Sequence, residues 1–233
     1  MSVIPKQARY AMLPLGVPSS RRTIRVNPID GGQSYYPDSV NVVRLRMPQQ
    51  GYLDCQSSYL TFKVGRKGAA AGNGIGEADN QDMRLEDGGA AWIKNLSVIG
   101  NDGTVIENIQ NYNLLQAIIG KATLSDGYYK SPAAECAGWG DDAQRSAWFR
   151  ANKEYAIQLN HSGLLNNPKY LPLKFIAGGL ELMIELAPTA ECCERGSASS
   201  EEYEITNLQY IADIVDFTDE FDIELQYDDL ITW

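Results

Sequence analysis

From Thr23 onward the chain is a succession of short runs in which apolar and polar residues alternate. Clusters of Gly, Pro, Asn and Asp separate them. A two-residue period over four to eight positions puts one apolar and one polar face on a strand, which is what a half-buried antiparallel sheet needs. The runs are "TIRVNPI" (Thr23–Ile29), "SVNVVRLRMP" (Ser39–Pro48), "SSYLTFKVGR" (Ser57–Arg66), "AAWIKNLSVIG" (Ala90–Gly100), "TVIENI" (Thr104–Ile109), "EYAIQLN" (Glu154–Asn160), "LELMIELAPT" (Leu180–Thr189) and "YEITNLQYIADIVDF" (Tyr203–Phe217). Asn101-Asp102-Gly103, between the fourth and fifth, is a hairpin signal. The last run is too long for one flat strand, and a bend or bulge is expected near Asn207 or Ala212. Eight strands without repeated helices predict an all-β, antiparallel sandwich with Greek-key or jelly-roll connections, one or two short helices and long loop insertions.

One segment switches period. "NYNLLQAIIGKA" (Asn111–Ala122) has Leu114, Leu115, Ile118 and Ile119 at helical spacing, Asn111 or Asn113 as a cap, and Gly120 as a stop. Two stretches have no period. Residues 67–90 form a Gly/Ala-rich loop, and residues 123–153 mix small, aromatic and charged residues. Residues 1–22, with two prolines in "MLPLGVP", read as an extended N-terminal arm. Residues 23–217 form the sandwich. In residues 218–233, Phe221, Leu225 and Leu230 lie at near-helical spacing with Asp219 as a cap, so an acidic connector helix is expected.

Composition removes several function classes. Residues 1–50 carry seven basic groups and two acids, net +5, while residues 181–233 carry fifteen acids and one base, net −14. Asymmetry of this kind accompanies contact between unlike surfaces, within a chain or between copies. The total of −10 opposes nucleic-acid binding by the bulk surface, and the basic residues of the first segment are too scattered for a strong site. No run approaches the ~18 apolar residues of a membrane span, and the proline-broken N-terminus is unlike a signal peptide. Cys55, Cys136, Cys192 and Cys193 match no zinc spacing and read as free thiols in a reducing compartment.

Catalytic patterns fare no better. His161, the single histidine, stands in "NHSGLLNN" without a strand–turn–helix elbow around it. "GNGIG" in residues 67–90 has no following Lys-Ser/Thr and no helix, so it reads as a surface loop rather than a phosphate cradle. Asp141/Asp142 and Asp228/Asp229 are sequence neighbours, which a strand would point to opposite faces. Glu181 and Glu185 flank an apolar run as outward residues. Aromatic residues crowd the loops: Tyr35, Tyr36, Tyr128, Tyr129, Trp139, Trp148 and Phe149. They fit sugar binding, a protein interface or satellite packing under the loops.

The order of segments resembles the N-terminal jelly roll of double-jelly-roll viral major capsid proteins, the lineage of the adenovirus hexon, Polinton-like viruses and virophages. "VNVVRLRMPQQGYLDCQSSYLTFKV" is similar to the family's first strand pair. "AAWIKNLSVIGNDGTVIENIQNYNLLQAII" is similar to its central hairpin and helix, and "LPLKFIAGGLELMIELA" and "YEITNLQYIADIVDF" to its last strands. The resemblance implies a shell-forming structural protein that builds trimeric, pseudo-hexameric capsomers of an icosahedral virion. It implies partners in other copies and in penton or minor cement proteins, and no catalytic, cofactor-binding or metal residue. The insertions at 67–90 and 123–153 would be tower or contact loops. Such a subunit needs roughly twice this length, so residues 218–233 are expected to lead to a second jelly roll. Two alternatives stay open: a single-jelly-roll penton or minor capsid protein, and a carbohydrate-binding β-sandwich. A cupin-like enzyme is disfavoured, because such sites need several histidines.

Overall fold

The structure, a computed structural model, describes residues 19–38, 41–67, 83–176, 178–194 and 202–217. Most of the expected arm, the "GNGIG" segment, Asp228/Asp229 and the expected connector helix lie outside those residues.

Among the described residues, eight strands have four or more residues: β1 Ser19–Val26, β3 Val42–Arg46, β5 Tyr59–Arg66, β7 Ile93–Gly100, β8 Val105–Ile109, β9 Glu154–Ile157, β10 Leu180–Leu186 and β12 Tyr203–Phe217. Four two-residue strands complete the set: β2 Ser34–Tyr35, β4 Tyr52–Leu53, β6 Arg84–Leu85 and β11 Cys193–Glu194. One sheet runs β1-β12-β5-β9, with β2 and β4 also on β12, and the other runs β3-β10-β7-β8. Counted first to eighth along the chain, the long strands lie first–eighth–third–sixth in one sheet and second–seventh–fourth–fifth in the other. All pairs are antiparallel. This is the jelly-roll order, and it fits the expected fold class.

The alternation explains the layering. In β10 the burial alternates strictly, with Leu180, Leu182, Ile184 and Leu186 inside and Glu181, Met183 and Glu185 outside. Leu60, Phe62 and Val64 of β5 face Leu182 and Ile184 of β10 and Leu96 and Val98 of β7 in one continuous core. Phe62 meets Trp92 edge to face, with centroids 5.1 Å apart. Both rings are fully buried.

The hairpin turn is where the sequence puts it. Gly100 N–H donates to the Thr104 carbonyl at 2.8 Å, and Asp102 accepts from the backbone and hydroxyl of Thr104. Those two bonds lower the Asp102 pKa. The bend in β12 falls at Asn207, which is left-handed at φ 53°, where the register against β5 slips between Thr206 and Gln209.

Three expectations need correction. First, β1 begins at Ser19, so Ser19–Arg22 belong to the sheet rather than to the arm. Second, residues 123–153 are not irregular. They hold α2 Asp126–Tyr129, α3 Pro132–Cys136 and α4 Asp142–Arg150, capped by the side chains of Ser125, Ser131 and Asp141. With α1 Tyr112–Thr123 and α5 Thr189–Cys192 the described residues hold five short α-helices rather than one or two. Third, α1 passes through Gly120 to Thr123 and turns Leu114 and Ile118 outward, 57% and 59% exposed. It docks instead through Tyr112 and Gly120; a Cβ on Gly120 would lie 2.5 Å or closer to the Trp139 ring. The close approach of backbone to indole takes the place of an apolar stripe.

Candidate interaction surfaces

The residues with catalytic potential have structural partners. The Ser162 hydroxyl, next to His161, donates to Glu107 at 2.6 Å and accepts from Leu165 N–H at 2.9 Å, so it closes a loop onto β8. His161 stacks at a tilt on buried Tyr112, centroids 5.7 Å apart, and burial lowers its pKa. Asp141 caps α4 in a capping box with Gln144. Asp142 binds Arg145 at 2.6 Å and Arg84 at 3.0 Å, and the bond from Arg145 lowers its pKa. Arg145 also donates to the Leu85 carbonyl at 2.8 Å, which ties α4 to β6. Glu181 pairs with Arg44 at 3.5 Å across the outer sheet face, and Glu185 accepts from Asn95 at 2.5 Å. Among the described residues no cluster of three or more His, Cys, Asp or Glu could hold a metal ion.

Three of the seven loop aromatics, Tyr35, Trp139 and Phe149, are buried and the other four half-buried, and the Tyr35 hydroxyl donates to Asp30 at 2.7 Å. Tyr129 packs edge-on to Trp139, Trp148 lies under the Lys153 ammonium at 4.1 Å, and Tyr36 under Lys67 at 4.0 Å. These rings secure the loops, which removes the support they gave a sugar-binding face. None of the four cysteines forms a disulfide, and Cys136 is exposed. Burial pushes the Cys55 thiol up to about 11.

The charge asymmetry resolves within the chain where both ends are described. The Arg21 guanidinium reaches Asp213 of β12 and Asp54, and Arg22 reaches Asp216 at 3.1 Å. Basic β1 and the acidic end of β12 are therefore ladder neighbours.

Among the described residues two sets of apolar groups stand out. One is the exposed side chains Val105 and Ile106 on β8, which pairs only with β7 among the described strands, and, separately, Leu114 and Ile118 on α1. The other is aromatic: Tyr52 meets Phe217 (5.0 Å) and Phe175 (6.2 Å), and Tyr170 meets Phe217 (6.0 Å). Tyr170 and Phe175 are nearly half exposed, and Lys174 lies over both Tyr52 and Phe175. Scattered apolar residues are normal on a surface, but grouped ones mark contacts. Nothing in the residue pattern pointed to the aromatic group, because its rings come from three separate segments: Tyr52, Tyr170 with Phe175, and Phe217.

No protein-family model matches the chain, and no curated protein matches it. Solved structures do. A chain of the PBCV-1 virus capsid superimposes with a TM-score of 0.57 at 13% identity, over 91% of this chain and 46% of that one. PBCV-1 VP54, as fitted into a reconstruction of the virophage Sputnik, superimposes with a TM-score of 0.56 at 13% identity, over the same shares. This chain therefore spans about half the length of the capsid chains it resembles. Strand order and superposition agree: the protein has the jelly-roll fold found in the PBCV-1 capsid.

Proposed function

We propose that this chain is a shell-forming jelly roll of a viral major capsid protein, equivalent to one half of a double-jelly-roll subunit. In this reading the subunit assembles as a homotrimer with a pseudo-hexameric outline, joins penton and minor cement proteins in an icosahedral shell, and resides in the virion. The observation that supports it most is the superposition over 91% of this chain and about half of a PBCV-1 capsid chain, together with a first–eighth–third–sixth sheet order. The function is structural rather than enzymatic. The partners found for His161's neighbour Ser162, for Asp141/Asp142 and for Glu181/Glu185 accord with side chains that hold loops and sheets together. The exposed groups on β8 and α1, and the aromatic group around Phe217, supply apolar area for contacts between subunits.

The reading frame beyond Trp233 tests the two-domain form. A further region of about eight alternating strands supports it. A stop codon would overturn it in favour of a single-jelly-roll penton or minor capsid protein.

A further inference from the structure

β12 changes partner halfway along. From Phe217 to Tyr210 it pairs with β1, and at Thr206 and Ile205 it pairs with β2. The three residues between, Asn207, Leu208 and Gln209, face no described strand on that side, because the chain from Asn27 to Gln33 loops away from the sheet. On the other side the ladder with β5 gains one residue at the same place. A bulge and a left-handed Asn207 thus coincide with a gap in the sheet. Asparagine tolerates that backbone better than most residues, and bulges serve to re-aim side chains.

The gap is a cleft of about 730 Å³, within the range of small-molecule sites. Its polar lining is Asn27, Gln33, Asn207 and Gln209, with the hydroxyls of Ser34 and Thr206. Leu208 is buried behind it. The walls are tied together. Gln209 donates to the Asn27 side chain at 3.1 Å, Ile29 N–H donates to the Arg44 carbonyl at 2.8 Å, and Tyr35 fastens the loop through Asp30.

The chemistry of this lining is selective. Among the described residues no lysine, arginine or histidine lines the cleft, so they offer an anion no countercharge. Glu204 is the one carboxylate among them, too few for a cation. Primary amides and hydroxyls each donate and accept, as do the vicinal hydroxyls of a sugar. We propose that this cleft is a binding site for a neutral saccharide, held by the amides of Asn27, Gln33, Asn207 and Gln209. Among the described residues no exposed aromatic ring lines it, so binding rests on hydrogen bonds and is weak per site. Repetition of the site on a multi-copy particle would raise avidity without new contacts. The site itself does not depend on the capsid reading.

Titration of the full chain with cellobiose, lactose and maltotriose, followed by saturation-transfer NMR and calorimetry, tests the proposal. At least one sugar should bind saturably at millimolar concentration. Gln33→Ala, an exposed loop change that leaves the fold intact, and Asn27→Ala should each weaken it about tenfold, the effect of one lost polar contact. Tyr170→Ala/Phe175→Ala should leave it unchanged. Absence of saturable binding to all three sugars would overturn the proposal. So would binding that survives both cleft variants, or that falls with the aromatic pair.

Discussion

Arg21 reaches diagonally across the β1–β12 ladder, past its partner Val215, to Asp213, Nε to Oδ2 2.7 Å, and the same guanidinium also bonds Asp54 at 2.9 Å and Ser57 at 2.6 Å. One exposed arginine thus joins the first strand, the turn before β5 and the last strand. Removing it leaves Asp54 and Asp213, which bind a common nitrogen, as unscreened like charges. Like charges left close together repel, and salt screens that repulsion. Arg21→Met should therefore lower Tm at pH 7, and the loss should shrink as ionic strength rises. Thermal melts in low and high salt check this; an equal loss in both would contradict it.

Phe62 joins the two sheets through Trp92 and also stacks on Tyr155, centroids 5.8 Å apart. Phe62→Ala opens a cavity at the centre of the sandwich. It should cost about 3–5 kcal/mol of unfolding free energy, measured by urea denaturation.

Gly120→Ala sets two effects against each other. Helix propensity favours alanine by about 1 kcal/mol. The new methyl, however, meets the ring of buried Trp139. Overpacking of that kind costs about 1–3 kcal/mol, so the net change should be destabilising. A rise in Tm would show that α1 does not rest on Trp139.

Alkali should unfold the protein through its buried acids. The Cys55 thiol is raised from 9.0 to about 11, chiefly by burial. Burial also raises the hydroxyls of Tyr112, Tyr155 and Tyr210. A folded-state pKa above the unfolded one contributes stability that is whole below the unfolded value and disappears as pH rises through the folded value. Stability should hold to about pH 9 and fall towards pH 11, and Cys55→Ala should flatten part of that fall. Urea midpoints across this range provide the measurement.

The parts of this fold visible in sequence are those where burial alternates with the residue period. β5 and β10 follow their apolar residues position by position, and the bend at Asn207 follows from length and from the residue type that accepts it. What stayed hidden lacks that signal. Ser19–Arg22 have no apolar residue, and they hold to the sheet by backbone pairing and by ion pairs to acids far along the chain. The helices in 123–153 are short and built on small residues. Their marks were the caps Ser125, Ser131 and Asp141, the last with Gln144 three residues on. α1 departs from its pattern because Leu114 and Ile118 face outward, and the buried residues that dock it are Tyr112 and a glycine, Gly120. Of the candidate surfaces, the charge contact was foreshadowed by composition, whereas the aromatic group and the amide cleft arise only when distant segments meet.

The shell-forming role is tested most directly by the mass and outline of the full-length product of this reading frame, purified under reducing conditions and examined by light scattering and negative-stain imaging. The account predicts a trimer with a pseudo-hexagonal outline. A protein that stays monomeric at every concentration would contradict it.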